Sequence, residues 1–260
     1  MNALELPHAL DRHVIIRARL ATVFRYFTDS ARWAAWWGEG STIDARPGGR
    51  VFIRYPNAVE VSGEVVEVDP PRRIVFTYGY ATGQPFGAGG SRVTIRLEED
   101  PHGTRLHLRH EFVEAAVRDH HLQGWRYQLA VFSNLVADHQ MVEASARVDA
   151  WFAAWSEADA ARRQGILDTT VSPAVRFRDR FSLVEGRADL DPHLAAVHVF
   201  MPGNRIERTG DLRHCQGTVL ADWTVRGADG GERGRGTNVF ELDADGRIED
   251  VVGIWSPPGR

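Results

Sequence analysis

Residues 91–112 read SRVTIRLEEDPHGTRLHLRHEF, in which two runs of alternating apolar and polar side chains flank the turn DPHG. Alternation with a period of two is typical of strands that bury one face, and a short turn rich in Gly, Pro and Asp joins such strands into a hairpin. The apolar face of the second run carries Leu106, Leu108, His110 and Phe112. The stretch therefore predicts an antiparallel hairpin with His110 on its apolar side.

The same alternation extends upstream to Ser41, whereas the sequence downstream changes to helical spacing. The upstream runs are STIDA, RVFIRY, EVSGEVVEV and RRIVFTYGY, and the last of them places Tyr78 and Tyr80 on one face. From about Arg118 the apolar residues fall three or four apart and form one stripe: Leu122, Trp125, Leu129, Phe132 and Val136. With a helix predicted over 22–37, these elements indicate an α+β helix-grip domain that encloses a cavity between its sheet and its closing helix.

The second half of the chain predicts another α+β domain that has no sequence repeat with the first. A helix is predicted over 148–164, and a second one in DLDPHLAAVHVFM lies between runs of alternating residues that end in IEDVVGIW. Helices followed by a curved antiparallel sheet predict a cone-shaped α+β barrel with a pocket at its open end. Because no Gly or Pro occurs between Gly124 and Gly165, the boundary is expected in a helical segment. We place the domains at 1–141 and 142–260.

The composition limits the classes of partner. The 260 residues carry a formal net charge of −4, which gives no electrostatic reason to expect nucleic acid or an anionic membrane as a partner. The single cysteine, Cys215, excludes an internal disulfide and fits a reducing compartment. No apolar run approaches the roughly 20 residues that span a bilayer. A soluble cytoplasmic protein is expected.

Motifs of the first domain carry a family resemblance. They are Trp36-Trp37-Gly38, Arg46-Pro47-Gly48-Gly49, the run from Gly63 to Arg73, the run from Gly103 to His110, and Gly124-Trp125. Over residues 12–139 the domain resembles the START-like (SRPBCC) superfamily, in the branch of homologues of the activator of the heat-shock-chaperone ATPase. This resemblance implies a hydrophobic ligand cavity, without a chemistry common to the branch.

Two polar residues of the second domain point into its predicted pocket. In AVRFRDRF, Asp179 shares a strand face with Phe177 and Phe181, so a carboxylate faces the apolar side, where it could act as a general base or acid. The alternative is a structural acid that binds backbone amides near a strand end. Asn238 shares a face with Phe240, and its amide could donate a hydrogen bond to a ligand or tie the strand to a loop.

Further motifs relate the second domain to a family of enzymes. They are Asp159 with the following AARR, Glu185-Gly186, Gly236-Thr237-Asn238, and Asp245-Gly246-Arg247-Ile248. The domain resembles the SnoaL-like, nuclear-transport-factor-like family, which includes polyketide cyclases and ketosteroid isomerase. The resemblance implies that Asp179 is a proton-abstracting aspartate and that Asn238 belongs to an oxyanion hole. The tyrosine donor of that isomerase is replaced by Trp151, so steroid isomerisation itself is not expected.

Aromatic residues are the other candidates for ligand contact. In the second domain they are Trp151, Trp155, Phe177, Phe181, Trp223, Phe240 and Trp255, and in the first domain they are Tyr78, Tyr80 and Trp125, with His110 as the polar group. The alternatives are ordinary core aromatics and a hydrogen-bonded core histidine. His193, His198 and His214 could reach the pocket mouth, and the favoured alternative for each is the solvated surface. Because the histidine pairs lack metal-ligand spacing, neither a metal nor another cofactor is expected.

Three functions follow from these features. The first is binding of a small apolar or aromatic molecule in one or both cavities, without catalysis. The second is a cofactor-independent isomerase, cyclase or lyase that uses Asp179. The third is activation of a chaperone ATPase. A homodimer formed through the sheet of the C-terminal domain is also considered.

Overall fold

A computed structural model describes residues 5–256, except for the side chains of 141–143. The chain divides into two compact units, Met1–Val136 (unit 1) and Ala137–Arg260 (unit 2). Each unit has its own sheet and its own hydrophobic core. Within the described residues, no helix combines the length and the apolarity that a bilayer crossing requires.

Unit 1 is built on one antiparallel sheet. Its strands are β1 (His8–Ile16), β2 (Thr42–Ile43), β3 (Arg50–Arg54), β4 (Glu60–Asp69), β5 (Arg73–Tyr80), β6 (Ser91–Asp100) and β7 (Gly103–Phe112). Its helices are α1 (Leu20–Arg25), α2 (Ser30–Trp37) and the first part of α3 (Ala115–Ser156). The strand order is β1-β7-β6-β5-β4-β3-β2, and β6 and β7 form the hairpin predicted from residues 91–112.

The first helical segment differs from the prediction of one helix over 22–37. The first helix ends at Arg25, and Asp29 begins the second, because its side chain accepts a hydrogen bond from the backbone N–H of Arg32 at 2.9 Å. Such a side-chain acceptor caps the start of a helix. The new helix, α2, turns Trp33, Trp36 and Trp37 into the core.

The apolar stripe of the closing helix is confirmed. Trp125, Leu129, Phe132 and Val136 of α3 are buried in the same cluster as the inward residues of the sheet. Phe132 packs against Tyr26 and Trp36, with ring centroids 5.6 and 4.8 Å apart. The predicted arrangement of a sheet, a closing helix and a shared core is therefore present in unit 1.

Unit 2 also consists of helices followed by a sheet. After the last part of α3 come α4 (Ala160–Thr170), β8 (Val171–Arg178), β9 (Leu183–Glu185), α5 (Arg187–Phe200), β10 (Arg205–Cys215), β11 (Thr218–Arg226), β12 (Glu232–Leu242) and β13 (Ile248–Trp255). The strand order is β10-β11-β12-β13-β8-β9, in which only the β13–β8 pair is parallel among the described strands. The α+β class predicted for this domain is confirmed.

Two element boundaries of unit 2 were predicted wrongly. The helix predicted over 148–164 ends at Ser156, and α4 begins after Asp159, whose side chain caps it by accepting from the N–H of Arg162 at 2.9 Å. The strand predicted to include Asp179 and Phe181 ends at Arg178. The second difference changes the environment of the proposed catalytic residue.

Candidate functional site

A cavity of about 380 Å³ opens in unit 1. Strand β5, helix α3, the end of α2 and the segment after β3 all contribute to its wall. The residues that define its chemistry are Trp37, Tyr55, Tyr78, Tyr80, His121 and Trp125. Tyr78, Tyr80 and Trp125 are thus at the cavity, where the sequence placed them.

The indole walls are positioned by the contact between α2 and α3. The side-chain amide of Gln128 on α3 donates to the backbone carbonyl of Trp36 at the end of α2. The ring of Trp37 lies 5.7 Å from that of Trp125 and 5.6 Å from that of Tyr55, with interplanar angles of 74° and 90°. Edge-to-face aromatic pairs at such distances are favourable and form a rigid apolar wall.

Polar groups form a chain along the same wall. The hydroxyl oxygens of Tyr55 and Tyr78 are 3.0 Å apart. The hydroxyl of Tyr80 lies 3.0 Å from Nε2 of His121, and Nδ1 of His121 lies 2.8 Å from the carbonyl oxygen of Val117. A carbonyl oxygen can only accept, so Nδ1 carries the proton, and neutral His121 accepts from Tyr80 at Nε2.

Burial keeps these groups uncharged near neutral pH. It raises the pKa of Tyr55, an effect that the hydrogen bond with Tyr78 only partly offsets. Burial also raises the pKa of Tyr78, with further increases from the neighbouring hydroxyls of Tyr55 and Tyr80. The pKa of His121 is lowered, first by burial and then by His120, against the raising effect of the Val117 carbonyl. The wall therefore presents neutral donors and acceptors.

His110 lies in the core of unit 1 and is absent from the residues that line the cavity. Its Nδ1 accepts from the indole N–H of Trp125 at 2.9 Å, and its Nε2 lies 2.8 Å from the hydroxyl oxygen of Ser91. Burial lowers the pKa of His110 well below its usual value. The alternation placed His110 inward correctly, but both ring nitrogens are occupied by protein partners, so the assignment to the cavity is corrected.

In unit 2, a glycine on β12 lies between two tryptophans on the neighbouring strands. Trp223, Gly236 and Trp255 occupy paired positions on β11, β12 and β13. The Trp223 and Trp255 rings meet edge to face at 4.9 Å, and a Cβ on Gly236 would lie 2.5 Å from Cζ2 of Trp223. A side chain at position 236 would therefore displace the Trp223 ring.

Both indoles donate to the candidate catalytic residues. Trp223 donates to Oδ1 of Asn238, and Trp255 donates to Oδ2 of Asp179, each at 2.9 Å. An indole N–H can only donate, so the carbonyl end of the Asn238 amide faces Trp223. Within the described residues, the NH₂ group of Asn238 has no hydrogen-bond acceptor.

Asp179 follows the end of β8 and is half-buried. Its Oδ1 accepts from the backbone N–H of Phe181 at 2.8 Å, which is the geometry of an Asx turn. The turn directs Phe181 outward, so that 70% of this residue is exposed and the prediction of Phe181 inside the pocket is wrong. No Arg or Lys among residues 5–256 forms an ion pair with Asp179.

Asp179 and Asn238 approach each other over Gly253. A Cβ at position 253 would lie 3.0 Å from Cβ of Asp179 and 3.3 Å from Oδ1 of Asn238. The absence of a side chain on Gly253 thus permits a carboxylate and an amide to share one small region. The two residues that the sequence proposed as partners are brought together.

The remaining aromatic candidates of unit 2 differ in how deeply they are buried. Trp151, Phe177 and Phe240 are fully buried in the core, with Trp151 packed against the other two rings. Trp155 is half-buried and packs against Phe177 at 5.2 Å.

His193, expected at the surface, belongs to the same region. Its ring is 5.8 Å from Trp155 and 6.0 Å from Phe177, and it is half-buried. Burial lowers the pKa of His193, while the charge of Asp179 raises it in part. The sequence offered the pocket mouth as the less favoured of two positions for His193, and the packing of α5 decides between them.

Sequence reasoning also missed three of the six residues that define the chemistry of the unit 1 cavity. Tyr55 lies just beyond the end of β3. It closes the alternating run RVFIRY on the same face as Val51 and Ile53, and this alternation was the available signal for it. His121 was judged only as a metal ligand, and Trp37 only as part of a family motif. The aromatic composition of the WAAWW segment was the available signal for Trp37.

Comparisons with known proteins give one family match for each of two segments of the chain. Residues 17–137 match the family model described as activator of Hsp90 ATPase homolog 1-like protein. Residues 148–251 match the model of the SnoaL-like domain. A search of curated proteins gives no match.

Solved structures each align with about half of the chain. A SnoaL-like family protein from Agrobacterium tumefaciens is 25% identical, with 45% of this chain and 99% of that chain covered and a TM-score of 0.43. The Aha1 dimer from Colwellia psychrerythraea is 14% identical, with 50% and 96% covered and a TM-score of 0.44. A protein from Chromobacterium violaceum is 25% identical, with 50% and 98% covered and a TM-score of 0.41.

Proposed function

The chain joins an N-terminal domain of the activator of Hsp90 ATPase homolog 1-like type to a C-terminal SnoaL-like domain, and on this basis we propose that its N-terminal cavity binds one small hydrophobic or aromatic molecule. The proposed event is reversible binding without chemical change of the ligand. The protein would then serve as a carrier or sensor of that molecule.

The cavity of unit 1 carries the proposal. Its volume of about 380 Å³ lies in the range of small-molecule pockets, which are mostly apolar with a few placed polar groups. Trp37 and Trp125 supply the apolar wall, and the hydroxyls of Tyr55, Tyr78 and Tyr80 supply the polar groups. This combination favours a flat apolar ligand over a polar metabolite.

A neutral fluorescent probe tests this proposal. N-phenyl-1-naphthylamine is titrated into the full-length protein while its emission and the tryptophan emission are followed. Because Trp37 and Trp125 line the cavity, saturable probe emission should coincide with saturable tryptophan quenching. Probe emission that rises linearly without saturation would contradict binding at a defined site. Native mass spectrometry of the purified protein adds a search for a molecule retained from the host.

We propose proton transfer in the C-terminal domain as a second candidate function, because Asp179 forms no ion pair with an arginine among the described residues and lies beside Asn238. In this reaction the Asp179 carboxylate takes a proton from a carbon next to a ketone. The Asn238 NH₂ group donates to the ketone oxygen as it gains negative charge. Return of a proton from Asp179 to another carbon, or to the same one, completes the turnover with no net change in atoms, and exchange of the Asp179 proton with solvent before this return introduces deuterium in D₂O.

Hydrogen exchange tests the second candidate separately from ligand binding. An enolisable polycyclic ketone is incubated in D₂O with the parent protein or with Asp179→Asn, and loss of the α-proton signal is followed by NMR. A general base contributes about a hundredfold or more to the rate, so the variant should fall at least that far. Equal exchange rates for both proteins would remove Asp179 as the base.

A further inference from the structure

The cavity of unit 1 is lined without a permanent charge. Among the described residues that line it there is no Asp, Glu, Lys or Arg. The titratable groups at its wall are tyrosines and the histidines at positions 120 and 121, and burial favours the neutral form of Tyr55, Tyr78 and His121. A charged ligand would lose its hydration without gaining an ion pair, so the wall discriminates against ions.

The hydrogen-bond chain has a fixed end at His121. The Val117 carbonyl holds the proton on Nδ1, so the Tyr80 hydroxyl must donate to Nε2 while His121 is neutral. The Tyr80 proton is therefore committed to the protein. Its oxygen lone pairs remain able to accept.

The other two hydroxyls retain unused capacity. The hydroxyl oxygens of Tyr55 and Tyr78 are 3.0 Å apart, so only one of the two hydroxyl protons can lie between them. When Tyr78 donates to Tyr55, the Tyr55 proton is available as a donor, whereas when Tyr55 donates to Tyr78, the Tyr78 proton can bind the neighbouring Tyr80 hydroxyl. Each oxygen keeps a lone pair as an acceptor. The Tyr55–Tyr78 pair can thus both donate to and accept from one ligand atom.

An indole at the same wall has an unsatisfied donor. Nε1 of Trp37 is buried and has no acceptor within the part of the chain described. Trp37 contacts Tyr55 edge to face, so its ring belongs to the wall that carries the hydroxyl pair. Because its Nε1 is inaccessible to solvent, a ligand in the cavity meets the ring of Trp37 and not its N–H, and the hydroxyls are the donors within reach of the ligand.

From these observations we propose that the N-terminal cavity selects neutral hydroxyaromatic compounds, whose ring packs against Trp37 and Trp125 and whose hydroxyl group binds the Tyr55–Tyr78 pair. A phenolic hydroxyl both donates and accepts, as the pair does, whereas a hydrocarbon leaves the pair unused and a carboxylate brings an uncompensated charge. The selectivity rests on the proposed binding function, since it concerns the same cavity.

Three matched ligands separate the contributions of ring, hydroxyl and charge. Naphthalene, 2-naphthol and 2-naphthoate are titrated against the full-length protein at pH 7.5 by displacement of N-phenyl-1-naphthylamine. One additional hydrogen bond corresponds to an affinity gain of about five- to tenfold, so 2-naphthol should bind that much more tightly than naphthalene. 2-Naphthoate should bind more weakly than either.

Two phenylalanine variants locate the selecting groups. Tyr55→Phe and Tyr78→Phe should each bring the ratio of 2-naphthol to naphthalene affinity close to one while naphthalene still binds. Tyr26 is buried in the core of unit 1 and is absent from the residues that line the cavity, so Tyr26→Phe is the matched control and should keep the parental ratio. Tyr55 is half-buried whereas Tyr78 is buried, so Tyr55→Phe decides the matter if the other variant unfolds.

The outcomes distinguish the selectivity from the binding function. Equal affinity of the parent for 2-naphthol and naphthalene would overturn the selectivity and leave binding in place. Tightest binding of 2-naphthoate would overturn the neutral-ligand requirement. If the probe itself showed no saturable site in the parent, the binding function and the selectivity would both fall.

Discussion

The indole N–H of Trp125 donates a hydrogen bond to Nδ1 of His110 at 2.9 Å. This bond places the imidazole proton on Nε2, from which it is donated to the Ser91 hydroxyl at 2.8 Å. The Ser91 hydroxyl in turn donates to the carbonyl of Tyr78 at 2.8 Å. One satisfied chain thus joins α3, β7, β6 and β5 behind the cavity wall.

Replacing His110 with Phe should lower stability without changing ligand affinity. The change leaves the buried N–H of Trp125 without an acceptor, and a loss of that kind costs about 1–3 kcal/mol. Because His110 does not line the cavity, the dissociation constant of N-phenyl-1-naphthylamine should stay at the parental value. Urea unfolding and probe titration measure the two effects.

A control for the His110 variant lies on the same strand. His107 points to the opposite face of β7, where its ring lies 3.2 Å from Glu98, so His107→Phe should change stability little. If His110→Phe changed the probe affinity but not the stability, His110 would be part of the binding site and its assignment to the core would be wrong.

Stability should decrease as the pH falls below the ordinary histidine pKa of about 6.5. Burial lowers the pKa of both His110 and His121 in the folded state. Between the folded and unfolded pKa values the unfolded chain therefore binds protons that the folded chain does not, so acid favours unfolding. The contribution is complete above about pH 6.5 and is lost as the pH falls toward the folded values.

Urea unfolding at pH 7.5, 6.5 and 5.5 measures this dependence. His110→Gln removes one of the three histidines whose pKa is lowered by burial, the others being His121 and His193, and should flatten the decrease between pH 6.5 and 5.5. An unfolding free energy that rises over the same interval would show that the sign of these shifts is wrong.

Asp179→Asn should destabilise unit 2 even if Asp179 has no catalytic role. The carboxylate accepts from the N–H of Phe181 and from the indole of Trp255, and an amide can accept with only one of its two ends. The mismatch should cost about 1–3 kcal/mol, measured by urea unfolding. A melting temperature equal to that of the parent would mean that these bonds contribute nothing, leaving proton exchange as the only test of the residue.

The sheets and the closing helix could be predicted from the spacing of apolar residues, because this spacing depends only on the geometry of a single strand or helix. The inward face of β7 and the stripe from Trp125 to Val136 are examples. The full set of cavity residues could not be predicted in this way. Tyr80 and His121 are 41 residues apart, and their hydrogen bond depends on how α3 packs against β5.

Asp179 shows a local limit of strand periodicity. The alternating run AVRFRDRF predicts a continuous strand, but the Asp179 side chain accepts from the backbone two residues later and turns the chain. Aspartate commonly forms such turns, so the sequence did indicate a turn at Asp179. The alternation with Phe177 and Phe181 led to the prediction of a strand instead. Phe181 is exposed for this reason.

The central claim, that the N-terminal cavity is the binding site, is tested most directly by filling it. Gly124 lines the cavity from α3, and a Cβ there would meet no atom within 4 Å. Leucine is a better helix former than glycine by nearly 1 kcal/mol, so Gly124→Leu should fill space without loss of stability. Gly165 of α4 has the same open surroundings but is not among the cavity-lining residues, which makes Gly165→Leu the matched control.

We predict that Gly124→Leu weakens N-phenyl-1-naphthylamine binding at least about tenfold, or 1.4 kcal/mol, while Gly165→Leu binds as the parent does. Parental affinity in both variants would contradict the assignment of the binding site to this cavity.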